Sequence, residues 1–161
     1  MSKNELRARA FETIVYGGLA VGVLDILDAM IFFGFRNHVK PIRILQSIAV
    51  GVLGRASYSG GLKTALLGGF LHFVIAFLIA TVFYTASRFL SAPLRWPAPS
   101  GLLFGVAAYF VMTYVVVPLS AVGPRTAPIP RAVFINGIVG HALLIGLPVA
   151  LIARWSATRR S

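Results

Sequence analysis

Two carboxylates and two imidazoles interrupt apolar stretches of this sequence. Asp25 and Asp28 lie one helical turn apart in an apolar run over residues 14–35, and His72 and His141 lie in two other apolar runs. An ionised carboxylate at the centre of a bilayer costs roughly 2.5–3.5 kcal/mol on insertion scales, so ionisable residues at that depth are rare and usually functional. A nearby imidazole would offset part of this cost and could exchange a proton with the carboxylate. These four residues are the candidate site.

The four candidate side chains are predicted to lie at one depth. Counted from the nearest basic residue at one end of each run, at about 1.5 Å per residue, they lie about 12–16 Å deep, close to the bilayer midplane. Glycines at helical spacing share their faces, and small residues mark the places where membrane helices approach closely. The predicted packing glycines are Gly18, Gly22, Gly68, Gly105 and Gly137. The site should therefore face the interior of a bundle.

The composition is that of an integral membrane protein. Of the 161 residues, 58% are hydrophobic and only 12% are charged, whereas soluble domains average roughly 25% charged residues. Cysteine is absent, so disulfides and thiolate metal sites are excluded. Two aspartates would interrupt the apolar core of a signal peptide, so the first run is interpreted as a membrane span.

Four runs are long enough to cross the hydrocarbon core, which takes about 20 residues of helix. They cover about 13–35, 62–87, 100–120 and 131–153. The stretch 41–54 is too short to span and begins with Pro41, which suits a first helical position. It is predicted to be an interfacial or re-entrant helix. Prolines in 87–100 and 120–131 are expected to stop the neighbouring helices.

The predicted fold is thus an all-α bundle of four transmembrane helices in one membrane domain, residues 1–161. A faint repeat runs through it. Residues 18–23 (GLAVGV) match 101–106 (GLLFGV), and both helix histidines follow a glycine by four residues. Two related hairpins would explain the match, since membrane proteins often contain such duplications.

The charge pattern indicates lipid headgroups as partners. From residue 29 onwards there are 12 basic residues and no acidic one, and scattered basic loops favour anionic headgroups over nucleic acid. Four spans put both termini on the same side of the membrane. That side has eight basic residues, including Lys3 and Arg160, and the other side has seven. The positive-inside rule gives almost no bias. We expect cytoplasmic termini, because a short tail with three basic residues is awkward to translocate.

Three interpretations of the Asp/His layer stay open. The two aspartates could be buried polar groups that fix helix packing, with His72, His141, Tyr109 or Thr113 as partners. They could relay protons or bind a cation during transport or conduction. Finally, His72 and His141 could be axial ligands of a haem, or with the aspartates could bind a divalent metal such as Zn²⁺ or Fe²⁺.

No motif for catalysis is present. The sequence has no Gly-x-Ser-x-Gly, no His-Glu-x-x-His and no phosphate-binding loop. We expect no enzymatic activity. His38, in the stretch FRNHVK, is expected to be a solvated loop residue.

Three segments, over roughly residues 68–154, resemble the last three helices of the YagU-like bacterial inner-membrane proteins. The shared points are the helix histidines His72 and His141, the Gly-Leu-Leu opening at Gly101 and the exit at Pro118. The resemblance implies a helical bundle in the bacterial inner (cytoplasmic) membrane. It implies no established activity.

The sequence therefore predicts a small multi-pass membrane protein that handles protons or a cation through its Asp/His layer. The alternatives are a non-catalytic subunit or scaffold of a membrane complex, and a bis-histidine haem or metal protein. A homo-oligomer or a membrane-complex partner is compatible with each.

Overall fold

The computed structural model describes residues 7–159, and in this range every regular element is a helix, as predicted. Lys3, Glu5 and Arg160, which entered the charge count, lie outside the described residues. Four helices are long and apolar enough to cross a membrane. They are α1 (Glu12–Asn37), α3 (Gly61–Phe89), α5 (Pro97–Leu119) and α6 (Arg131–Thr158). Two shorter helices are α2 (Pro41–Leu53) and α4 (Ala92–Arg95).

The four predicted spans are confirmed, with differences at their ends. The expectation that the prolines of 87–100 stop a helix was wrong for Pro97, which is the first residue of α5. Proline is tolerated in a first helical turn, because the amide hydrogen that it lacks would have no partner there. Helix α6 continues five residues beyond the predicted end at 153, and the Nη1 of Arg154 donates to the carbonyl oxygen of Leu94 at 3.2 Å.

The predicted short helix between the first two spans is α2. It packs along the first two turns of α3, and the closest approach is at Gly68, where a Cβ atom would collide with the backbone carbonyl of Leu45. A 3₁₀ segment, Gly54–Ser59, joins the two helices. The hydroxyl of Ser57 donates to the carbonyl of Gln46 at 2.7 Å, and the amide of Gln46 donates to the carbonyl of Gly61 at 3.0 Å. These bonds fix α2 against α3.

The outer surface of the long helices is apolar and regular. Large exposed side chains recur every four residues on one face of each helix, which is the spacing of a helical stripe. On α1 they are Leu19, Val23, Leu27, Ile31 and Phe35, and on α3 they are Leu62, Leu66, Phe70, Val74, Leu78 and Val82. Such a continuous apolar exterior suits lipid rather than water.

A core of buried apolar residues fills the half of the bundle that carries the described chain ends. Its members include Val21 of α1, Leu94 of α4 and residues of α3 and α6, among them Ala80, Phe83, Val149, Ala150 and Ala153. A buried polar contact closes this half, since the hydroxyls of Thr13 and Ser156 lie 3.1 Å apart and Ser156 also accepts the backbone N–H of Arg9.

The helices pair as two hairpins, α1 with α3 and α5 with α6, and α1 also contacts α6. In the first hairpin Gly22 lies against His72. In the second, a Cβ atom at Gly105 would collide with the backbone of His141. The sequence repeat aligns Gly22 with Gly105 and His72 with His141, so each glycine contacts the histidine of its own hairpin.

The predicted packing glycines lie at helix–helix contacts. Gly18 and Gly22 leave room for the rings of Phe77 and Phe73, and Gly137 leaves room for the ring of Tyr109. A sixth glycine at a helix–helix contact was not among the five predicted. Gly146 lies against the backbone of Gly101 and Gly105, where any side chain would collide with α5.

Candidate functional site

A cavity of about 880 Å³ occupies the half of the bundle opposite the packed core. Its walls are mostly apolar, and all four candidate residues line it: Asp25, Asp28, His72 and His141. The inner end is formed by Ile79 and Ile145, beside the core. The cavity extends from there to exposed residues of α2, the 3₁₀ segment and the end of α5, which include Arg43, Ser47, Tyr58 and Val122. It is therefore open at one end of the bundle and closed at the other.

His72 is held by a hydrogen bond between helices. Its side chain is buried, and its Nε2 lies 2.8 Å from the carbonyl oxygen of Gly22. A carbonyl oxygen can only accept, so Nε2 carries the hydrogen. In the neutral ring the other nitrogen, Nδ1, then has a lone pair and no hydrogen. The glycine permits this approach, because no side chain at position 22 separates α1 from α3.

The free nitrogen of His72 faces a carboxylate. Nδ1 lies 3.9 Å from Oδ2 of Asp25. If the ring is neutral and the carboxylate ionised, two electron-rich atoms face each other across this gap. A proton on either atom, or a cation between them, converts that repulsion into attraction. Uptake of one positive charge by the pair would thus remove this repulsion.

Asp28 has a different partner. Its Oδ2 accepts a hydrogen bond of 2.8 Å from the Nδ2 of Asn136 on α6. Gly140, one turn further along α6, leaves space for the carboxylate, since a Cβ atom there would lie 3.1 Å from Oδ2. Asn136 was not among the predicted partners. An asparagine inside an apolar span, five residues before His141, is the signal that could have identified it.

His141 lies against an aromatic wall of the cavity. Its ring makes an edge-to-face contact with Tyr109, with centroids 5.4 Å apart. The Tyr109 ring also fills the space beside Gly137 and is buried. His141 and His72 both lie within electrostatic range of Asp25. Tyr109 and Thr113 both line the cavity. The sequence suggested these two residues as partners of the aspartates.

Two helices change their winding beside the site. Segments Met112–Val116 of α5 and His141–Gly146 of α6 are π-helical, and a third such segment among residues 7–159 starts α1 at Glu12–Tyr16. A π-turn rotates the following side chains relative to a regular helix and is common at functional sites. Here both internal π segments begin at residues that line the cavity, Met112 and His141.

Arg43 supplies the positive charge near the cavity mouth. Its Nη1 donates to the carbonyl oxygen of Tyr58 at 3.0 Å, and its guanidinium lies over the Tyr58 ring, 5.2 Å from the centroid. Both contacts are with Tyr58, and no ion pair of Arg43 with either aspartate is found among residues 7–159. With neutral imidazoles and both aspartates ionised, the groups lining the cavity carry a net charge of −1.

The side chains that could act as ligands decide how well a metal ion or a haem would fit. Among residues 7–159, no three or more His, Cys, Asp or Glu side chains lie close enough together to hold a metal ion. His72 has one ring nitrogen engaged with Gly22. Ligation of a haem through Nε2 would require this bond to break, which makes the cofactor the weaker candidate.

Comparison of the chain with models of protein families, with curated proteins and with solved structures finds no match. The function must therefore be argued from the cavity itself.

Proposed function

We propose that this protein is a small membrane transporter or channel that binds a proton or a monovalent cation at the Asp25–His72 pair. The observation that carries the proposal is the arrangement of His72, whose Nε2 is fixed by Gly22 while Nδ1 faces Asp25 inside an open cavity. A purely structural histidine would need only the first of these contacts.

The position of the pair supports movement of the bound charge. The cavity connects Asp25 with one end of the bundle, whereas the buried core closes the other end. A charge bound at the pair can thus be exchanged with water at the open end. Passage across the membrane needs the core half to open, as in alternating access around a site at the midplane.

Asp28 and His141 extend the site. Both line the same cavity and interact electrostatically with Asp25 or its partners. Asp28 already accepts a hydrogen bond from Asn136. Asp25, for which no hydrogen bond within residues 7–159 is found, is the primary binding group.

The test is proton flux in proteoliposomes with an internal pH-sensitive dye and an imposed pH gradient, measured without and with an added monovalent cation, inorganic or organic. The wild-type protein should give flux above that of protein-free liposomes, and Asp25→Asn and the double variant Asp25→Asn/Asp28→Asn should reduce it to that background. The matched control is Glu12→Gln, which removes a carboxylate from the same helix at a position paired with Arg9, outside the cavity. Wild-type protein without flux, or aspartate variants with normal flux, would refute the proposal.

A further inference from the structure

We infer that the cavity takes a monovalent organic cation with an apolar body, exchanged for a proton. This inference rests on the proposed function and specifies its substrate class. Three properties of the cavity carry it: its volume, its walls and its charge.

The volume and the walls fit a molecule rather than a bare ion. About 880 Å³ is within the range of roughly 300–1,000 Å³ that is usual for sites of small organic ligands. The walls between the polar groups are large apolar side chains from five helices, namely Ile26, Phe32, Phe33, Ile44, Ile48, Leu71, Ile75, Met112, Val116 and Val133. A bare metal ion would need several oxygen or nitrogen ligands, and residues 7–159 offer no group of three such side chains.

The charge of the cavity selects a monovalent cation. Two carboxylates and one guanidinium leave −1, which one proton or one monovalent cation neutralises. The guanidinium of Arg43 is already engaged by Tyr58, and the Nδ1 of His72 lies 3.9 Å from Oδ2 of Asp25. Tyr109 adds an aromatic surface beside His141, and aromatic faces attract organic cations.

Proton and cation then compete for one position. A cation beside Asp25 repels a proton bound to Oδ2 of Asp25 or to the Nδ1 of His72, which lie 3.9 Å apart. Binding of one cation should therefore release one proton from the pair into the water at the open end. This competition is the elementary requirement for exchanging the two across a membrane.

The first measurement is equilibrium binding of tetraphenylphosphonium to the detergent-solubilised full chain, with protein-free micelles as the baseline. Tetraphenylborate has the same shape and the opposite charge, so it controls for apolar partition. We expect tetraphenylphosphonium to bind at least about tenfold more tightly than tetraphenylborate. We also expect release of one proton per bound cation in weakly buffered solution.

Two variants distinguish the effect of the cavity's charge on binding from the effect of its volume. Asp25→Asn/Asp28→Asn keeps the volume and should abolish binding, whereas Met112→Trp keeps the charge and should weaken binding by filling the cavity. If Met112→Trp does not fold, as judged by size-exclusion chromatography, Ala29→Leu fills the same cavity. Glu12→Gln should bind like the wild type.

Each result decides one of the two proposals. Equal binding of the anion and the cation, or full binding by the aspartate variant, would identify an apolar pocket for a lipid chain and overturn this inference. Flux that depends on Asp25, without tetraphenylphosphonium binding, would overturn it and leave the proposed function standing. Cation binding that depends on Asp25, without proton release or flux, would overturn the exchange and with it the proposed function.

Discussion

The imidazole of His72 on α3 and the carbonyl of Gly22 on α1 form a hydrogen bond of 2.8 Å in the interior of the bundle. This bond does two things at once. It holds the first hairpin together at the level of the aspartates, and it leaves Nδ1 as the nitrogen that faces Asp25. The structural and the functional roles of His72 thus belong to different atoms, and variants can separate them.

Replacement of His72 by glutamine should preserve stability and remove proton handling. The glutamine amide nitrogen can occupy the place of Nε2 and donate to Gly22, but it cannot take up a proton facing Asp25. We expect the unfolding free energy of His72→Gln, measured by detergent titration with circular dichroism, to stay within about 0.5 kcal/mol of wild type. Its proton flux should be lost.

The comparison variant is His72→Leu, which loses both functions. It should be destabilised by about 0.6–1.7 kcal/mol, the range measured for hydrogen bonds between membrane helices. Normal flux in His72→Gln would show that Nδ1 carries no proton and that the histidine is only structural.

Nitrogen NMR of the protein labelled with ¹⁵N-histidine should find Nε2 of His72 protonated throughout the titration. The reason is that the Gly22 carbonyl can only accept a hydrogen bond. His72→Gln assigns the signal among the three histidines of the chain. A neutral ring protonated at Nδ1 would contradict the arrangement described for the pair.

The hydrogen bond between Asn136 and Asp28 should be measurable by a double-mutant cycle. Asn136→Leu, Asp28→Leu and the double variant isolate the coupling free energy, because the two side chains lie 2.8 Å apart. A coupling of about 1.5–3 kcal/mol is expected if Asp28 is ionised, and about 0.6–1.7 kcal/mol if it is neutral. Coupling indistinguishable from zero would rule out the bond.

Two neighbouring glycines of α3 should respond differently to alanine. In Gly68→Ala the new Cβ meets the backbone carbonyl of Leu45, which cannot move without displacing α2. In Gly69→Ala it lies 3.8 Å from a side-chain carbon of Leu45, an ordinary contact. We expect Gly68→Ala to lose about 1–3 kcal/mol of unfolding free energy and Gly69→Ala to lose none. Equal effects in thermal denaturation followed by circular dichroism would refute this packing.

Ser156 should contribute to the stability of the closed end of the bundle. Its hydroxyl accepts the backbone N–H of Arg9 and lies 3.1 Å from the hydroxyl of Thr13, and both contacts connect the start of α1 with the end of α6. Ser156→Ala leaves these buried groups without a partner, which costs about 1–3 kcal/mol. The control is Thr158→Ala, whose exposed hydroxyl bonds only to carbonyls of its own helix. It should change the unfolding free energy by less than about 0.5 kcal/mol.

Hydropathy predicted the helices, and a count of residues along each helix predicted that the site residues lie at one level. Spans of about 20 apolar residues can satisfy their backbone groups in a bilayer only as helices, so hydropathy was sufficient to locate α1, α3, α5 and α6. A count at a fixed rise per residue predicted one depth for the aspartates and the helix histidines. Such a count treats each helix alone and needs no knowledge of the helices beside it. All four line one cavity.

Which atoms meet depends on how the helices pack against one another. Which nitrogen of His72 is engaged depends on the carbonyl of Gly22 across a helix interface, and a backbone acceptor has no signature in the sequence. The pairing of Asp28 with Asn136 depends on α6 lying beside α1. The cavity, finally, exists because small and large side chains fill one half of the bundle and leave the other half open. Whether side chains fill the space between helices depends on all the packed faces together, whereas hydrophobic periodicity describes one helix at a time.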